Sequence, residues 1–156
     1  MKTYPVYLNG NWEVTGQTRP VVNPANGETF AEMSVVTRAQ VAEAIARAQE
    51  AFNRWRQVTG KGRGEALEKI AAELDRRREE IARIITLENG KPLVQSQGEV
   101  AMAVDHLRWF AGESRRIYGR LVPQQLDGKR HLILKSPVGV VAAISPWNFP
   151  LALAVR

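Results

Sequence analysis

An asparagine between two prolines carries the strongest chemical signal in this sequence. Asn148 lies in the segment 146–150, Pro-Trp-Asn-Phe-Pro, and follows the apolar run of residues 138–144. The prolines restrict the backbone that aims this side chain, and a side-chain amide offers two N–H donors without a net charge. Such donors suit the negative charge that develops on a carbonyl oxygen during a reaction. The alternative is that Asn148 caps a helix that begins near Pro150.

The other candidate residues do not have the spacing of a phosphate-binding loop or a metal site. Residues 60–64, Gly-Lys-Gly-Arg-Gly, match neither common phosphate-binding pattern, so they predict a loop between two helices. His106 and His131 are far apart, and neither has a carboxylate at ligand spacing, so we predict no metal site. With no cysteine in the sequence, disulfides, thiolate metal sites and a cysteine nucleophile are absent from these residues.

The composition narrows the class of protein. A length of 156 residues with 44% hydrophobic residues predicts one globular domain with a core. No apolar run approaches the roughly 20 residues that span a bilayer, and no signal segment is recognisable, so we predict a cytoplasmic protein without membrane contact. The net charge of +6 would suit an acidic partner, but the basic residues interleave with glutamates and not with aromatics. A basic nucleic-acid binder is therefore disfavoured.

The elements before the asparagine follow from turns and periodicity. Asn9-Gly10 between residues 6–8 and 12–14 predicts a hairpin, residues 23–27 predict a turn, and residues 29–35 predict a strand. Thr37 and Gln40 have capping-box spacing ahead of a long amphipathic helix. After the glycine-rich residues 60–64, the periodicity predicts two consecutive helices.

The later elements lead directly to the asparagine. Asn89-Gly90 predicts the end of the second of those helices, and another long helix is expected to close at Gly119. Asp127-Gly128 between residues 120–126 and 131–136 predicts a second hairpin.

The segment around Asn148 is expected to begin a strand–helix–strand unit with parallel strands. The continuous apolar run 138–144 predicts a strand covered on both faces, with a cleft beside Trp147, and residues 151–156 predict the first turns of a helix. A strand that leads into a helix in this way needs a second parallel strand, so we expect the unit to be incomplete here.

Residues 143–150 resemble the signature of the aldehyde dehydrogenase superfamily, in which a strand ends in Pro-Trp-Asn-Phe-Pro. Other segments stand in the family's order, and together the likeness covers nearly the whole chain: residues 23–28, 87–92, 109–111 and 136–140. Residues 109–111 and 116–119, with Lys129-Arg130, are most similar to the succinate- and glutarate-semialdehyde dehydrogenases.

The resemblance implies an α/β fold, the N-terminal part of the Rossmann-like dinucleotide-binding domain of that family. Residues 1–119 would form its first strands and helices, residues 120–137 an oligomerisation hairpin, and residues 138–156 the first strand and helix of the core. The hairpin would pair with a neighbouring subunit in a homodimer or homotetramer, which would also cover its open strand edges.

The resemblance also implies the chemistry. Asn148 would bind the oxyanion of a thiohemiacetal that forms when a cysteine attacks an aldehyde, with NAD or NADP as cofactor. The residues that would line the dinucleotide site are Ile144, Ser145, Pro146 and Trp147, and those that would line the substrate tunnel are Phe149 and Leu153. Because the nucleophilic cysteine is missing from these residues, we expect them to be inactive alone. The alternative is a non-catalytic module that only dimerises.

Overall fold

The computed structural model describes all 156 residues, Met1–Arg156. The elements along the chain are β1 (Lys2–Tyr4), β2 (Val6–Leu8), β3 (Asn11–Glu13), β4 (Thr18–Val22), β5 (Thr29–Ser34), α1 (Arg38–Trp55), α2 (Gly60–Arg76), α3 (Arg78–Asn89), α4 (Leu93–Glu113), β6 (Arg120–Val122), β7 (His131–Ile133) and α5 (Ala152–Val155). None of the helices combines the length and the apolarity that crossing a membrane requires.

The N-terminal strands form one small sheet and one hairpin. β5 lies at the centre of the sheet, parallel to β1 and antiparallel to β4, while β2 and β3 form the hairpin. The hairpin is confirmed, and Asn9 and Gly10 adopt φ angles of 54° and 96° at its turn. β1 and β4 were not predicted, because their sequences show no apolar alternation, and in the structure all of their residues are exposed or half-buried.

α1 begins at the predicted capping box. Thr37 Oγ1 accepts a hydrogen bond from the Gln40 N–H at 3.3 Å, and Gln40 Oε1 accepts one from the Thr37 N–H at 2.9 Å. No residue of α1 is buried, and its apolar stripe includes Val41 and Ile45, which are 43% and 56% exposed. The helix is amphipathic as predicted, but its apolar face is uncovered.

The prediction of a loop at residues 60–64 is wrong. These residues form the first turns of α2, and Thr59 caps the helix by accepting a hydrogen bond from the Gly62 N–H. A Cβ built on Gly64 would lie 2.8 Å from the carbonyl oxygen of Ala111, and one on Gly60 would clash with the carbonyl oxygen of Ser114. The glycines therefore allow α2 to approach the end of α4 closely, which periodicity within α2 does not reveal.

α4 is the centre of the core and packs against α2, α3 and α5. Six of the buried residues form two clusters that α4 joins: Ala71, Val104 and Leu107 on the α2 side, and Ala82, Ile85 and Val100 on the α3 side. α4 ends at Glu113 and not at Gly119 as predicted. The Ser114 hydroxyl lies 2.7 Å from the carbonyl oxygens of Ala111, in the last turn of α4, and of Gly60, at the start of α2. Its single O–H can donate to either oxygen, so it links the two helices at this point.

The C-terminal part departs most from prediction. The second hairpin forms with Gly128 at φ 77°, but its strands, β6 and β7, are only three residues long. The predicted buried strand at residues 138–144 is absent, and Val138 and Ile144 are 91% and 92% exposed. A strand needs a hydrogen-bonded neighbour, and no strand of this structure pairs with that run.

Candidate functional site

The segment around Asn148 is held by the loop that follows α3. Asn89 Nδ2 donates a hydrogen bond to the carbonyl oxygen of Trp147. Lys91 Nζ donates one to the carbonyl oxygen of Asn148 at 2.7 Å, across 57 residues of sequence. Residues 87–92 are thus in direct contact with residues 143–150. Each of these segments by itself resembles the aldehyde dehydrogenase superfamily.

Gly90 makes that loop possible. α3 ends at Asn89, and Gly90 follows in the left-handed region at φ 82°, as its position in the sequence predicted. A Cβ on Gly90 would also lie 2.8 Å from Cγ of Pro24, so the position excludes a side chain on two grounds. The sharp turn after α3 leaves Asn89 and Lys91 within hydrogen-bond distance of two consecutive carbonyl groups, those of Trp147 and Asn148.

A buried carboxylate lies behind this contact. Glu99, on α4, is 1% exposed, and its Oε2 accepts a hydrogen bond from Lys91 Nζ at 2.6 Å. Its Oε1 accepts hydrogen bonds from the N–H groups of Leu151 at 2.8 Å and Ala152 at 3.2 Å. Removing an ion from water is costly unless it is paired and hydrogen-bonded, and all of these partners point at this carboxylate.

Sequence reasoning missed Glu99. A signal was present, because Glu99 precedes Val100 and shares the apolar stripe of α4 with Ala103 and Leu107, all of them buried. A carboxylate in such a stripe predicts a buried partner. The identity of that partner could not be read from α4 alone, since Lys91 precedes the helix and the two N–H groups lie more than 50 residues later.

Asn148 does not cap the last helix. Leu151 stands at the capping position of α5 and makes no side-chain capping hydrogen bond, and the N–H groups of Leu151 and Ala152 donate to Glu99 of α4. The alternative role proposed for Asn148 is therefore wrong. Its side chain is exposed, and its amide makes no hydrogen bond to any other residue. The donors that the chemistry requires are free.

The neighbours of Asn148 present apolar surface. Trp147 is 82% exposed and Ile144 92%, whereas Phe149 and Leu153 are each about two-fifths exposed. Lys91 Nζ lies 4.7 Å from the centroid of the Phe149 ring, so the ammonium that pairs with Glu99 also contacts an aromatic face.

The cleft that we expected beside Trp147 does not correspond to any of the four main grooves of this structure. These grooves, with volumes of 400 to 910 Å³, lie against α1, α2 and the second hairpin, and no residue of the segment 144–153 lines them. The candidate site is an exposed surface with Asn148 at its centre.

Comparison with known proteins decides the family. The sequence profile described as the aldehyde dehydrogenase family matches residues 12–156. This chain belongs to the aldehyde dehydrogenase family. Glutarate-semialdehyde dehydrogenase of Pseudomonas putida is 40% identical over 152 residues, which cover 96% of this chain and 32% of that protein. The predicted family is confirmed.

Solved aldehyde dehydrogenase structures confirm the fold. Succinate-semialdehyde dehydrogenase from Burkholderia pseudomallei superposes with a TM-score of 0.90 at 36% identity, over 97% of this chain and 34% of that one. A betaine aldehyde dehydrogenase mutant from Staphylococcus aureus, in complex with NAD+, superposes with a TM-score of 0.86 at 33% identity, over 96% and 32%. The α/β fold is therefore the N-terminal part of the aldehyde dehydrogenase fold. The chain spans about a third of the length of the relatives that it matches.

Proposed function

We propose that this chain forms the N-terminal third of an NAD(P)-dependent aldehyde dehydrogenase that oxidises succinate semialdehyde, or a related semialdehyde, to the carboxylic acid. The observation that carries the proposal is Asn148, whose amide is free and exposed while its own carbonyl oxygen is held by Lys91. The similarity to glutarate- and succinate-semialdehyde dehydrogenases supports the substrate class.

Asn148 acts as a donor to the oxygen of the bound aldehyde. When a cysteine thiolate attacks the aldehyde carbon, negative charge develops on that oxygen, and the amide N–H groups stabilise it without needing to reorganise. The cysteine is not among these 156 residues. We therefore expect these residues alone to form no NAD(P)H, since an oxyanion donor cannot replace the nucleophile.

The stretch before Asn148 fits a dinucleotide. The residues that would line the dinucleotide site are Ile144, Ser145, Pro146 and Trp147. Ile144 and Trp147 present nearly their whole apolar surfaces to solvent, which suits contact with a flat ring, and Ser145 is half-buried with a hydroxyl available for hydrogen bonding. NAD or NADP, when bound there, would supply the hydride acceptor that oxidation of an aldehyde requires.

Phe149 and Leu153 would form apolar walls for the substrate. They follow Asn148 directly, and each keeps about two-fifths of its surface exposed. In the domain division that we propose, residues 1–119 and 138–156 belong to the cofactor-binding domain.

The hairpin of residues 120–137 would pair with a neighbouring subunit in a dimer or tetramer. Its exposed leucines support this pairing, with Leu121 72% exposed and Leu132 68%. The same exposure favours the rival hypothesis of a module that only dimerises.

Replacement of Asn148 tests the proposal. In the full-length enzyme that contains these residues, Asn148→Ala should lower the rate of NAD(P)H formation from semialdehyde by about 10²- to 10³-fold, because one oxyanion donor is lost. Asn148→Asp is the isosteric control, which keeps the shape but places a negative charge where the donor stood. A wild-type rate in Asn148→Ala would refute the proposal. Dimers in sedimentation with no dehydrogenase activity in the full-length protein would support the rival.

A further inference from the structure

We propose that Glu99 is a positioning residue, which acts through Lys91 and the backbone of residues 148–152 to aim the amide of Asn148. This inference rests on the proposed function, because it gives Glu99 a role in the step that Asn148 assists. Glu99 lies on α4 and its side chain is fully buried, so it has no exposed surface to offer a substrate or cofactor.

One ion pair holds the backbone at the reactive residue and again just after it. At Asn148, Lys91 Nζ donates to the carbonyl oxygen at 2.7 Å. Three residues later, Glu99 Oε1 accepts from the N–H groups of Leu151 and Ala152. Lys91 and Glu99 are joined at 2.6 Å, so the two anchors are one unit. The segment is linked through this pair to the most buried helix of the molecule.

The anchors leave the donors of Asn148 unused. The network bonds only main-chain groups of residues 147–152, and the Asn148 amide makes no hydrogen bond of its own. A reacting group needs a defined position, because a displacement of about 1 Å can cost about 100-fold in rate. A bond to the Asn148 side chain itself would hold it but would also consume the donor. Fixing the backbone around it avoids that conflict.

The kinetics of Glu99→Gln distinguish positioning from general stability. In the full-length enzyme, Glu99→Gln keeps the length of the side chain but removes its charge, which weakens the interaction with Lys91. We expect kcat to fall by about 10- to 100-fold, with the KM values for aldehyde and cofactor changed less than about threefold. Glu68→Gln is the matched control, since Glu68 is an exposed glutamate on α2 that does not contact residues 146–153.

A double-mutant cycle shows whether Glu99 acts through Asn148. In an Asn148→Ala background there is no amide to aim, so Glu99→Gln should cause little further loss of kcat. An equal loss in both backgrounds would mean that Glu99 supports the protein generally, and would overturn the inference.

Lys91→Met and the double variant Glu99→Gln/Lys91→Met keep the test decisive if Glu99→Gln does not fold. Lys91→Met removes the bond to the Asn148 carbonyl while both N–H partners of Glu99 remain, so kcat should fall as in Glu99→Gln. Circular dichroism and thermal unfolding report separately whether each variant is folded.

If Asn148→Ala lowers kcat but no folded variant of the Lys91–Glu99 pair does, the inference fails while the proposed function stands. If Asn148→Ala has no effect, the proposed function itself fails. Loss of folded protein in all variants of the pair would show a structural role and overturn the inference.

Discussion

At Gly64 there is no room for one more carbon atom. A Cβ there would lie 2.7 Å from Oγ of Ser114 and 2.8 Å from the carbonyl oxygen of Ala111. Gly98 on α4 offers the opposite case, since nothing lies within 4 Å of a Cβ built on it. The same substitution should therefore have opposite effects at two helical glycines.

We predict that Gly64→Ala lowers the free energy of unfolding by about 1–3 kcal/mol, because α2 and α4 must move apart. Gly98→Ala should raise it by about 0.5–1 kcal/mol, because alanine favours the helix. Urea denaturation of the two variants beside the wild type measures both changes. Equal effects at the two positions would contradict the packing role of Gly64.

At the scale of elements, the junction of α2 and α3 is an exposed set of ion pairs. Arg76 donates a hydrogen bond to Glu73, which lowers the pKa of that carboxyl, and the Arg76 charge lowers it further. Arg77 does the same for Glu80, again chiefly through its hydrogen bond, so the pKa of Glu80 is also lowered. Both pairs are local to consecutive helical turns.

This arrangement predicts how stability depends on pH. Carboxyls with a folded pKa below the ordinary value of 4.5 stabilise the folded state fully above that value, and the stabilisation is lost as pH falls through the folded pKa. Urea midpoints between about pH 6 and about pH 3 should fall less steeply in the Glu73→Gln/Glu80→Gln variant than in the wild type. High salt should reduce the difference, because the pairs are exposed. An identical pH dependence in both proteins would contradict this prediction.

Over the whole molecule, most buried residues lie on the helices around α4, and much apolar surface remains exposed. Val41 and Ile45 of α1, Leu134 of the second hairpin, and Val138 and Ile144 in the following segment are all exposed to solvent. Such an extent of apolar surface is typical of a face that contacts other protein.

We predict that the 156-residue chain self-associates through the second hairpin. Sedimentation velocity should show species above the 17.4 kDa of one chain, and Leu132→Lys should reduce them, because Leu132 is 68% exposed on a short edge strand. Val94→Lys is the matched control, since Val94 is 77% exposed on α4 and lies outside the hairpin. Equal reduction by both variants would show that association is not specific to the hairpin.

The sequence by itself determined the features that depend on a few neighbouring residues. The turn at Asn9-Gly10, the capping box at Thr37 and the left-handed Gly90 were all correctly predicted, because each is decided by backbone conformation and hydrogen bonds within about four residues. The family was also readable, since the segment around Asn148 keeps a characteristic order of residue types.

Only the tertiary structure decided what depends on distant partners. It showed that Glu99 is buried against Lys91 and the start of α5, that Gly64 packs against the end of α4, and that residues 138–144 form no strand. The physical reason is common to all three. A buried charge, a close helix contact and a β-strand each require groups from another part of the chain, and local pattern does not say whether those groups are in place.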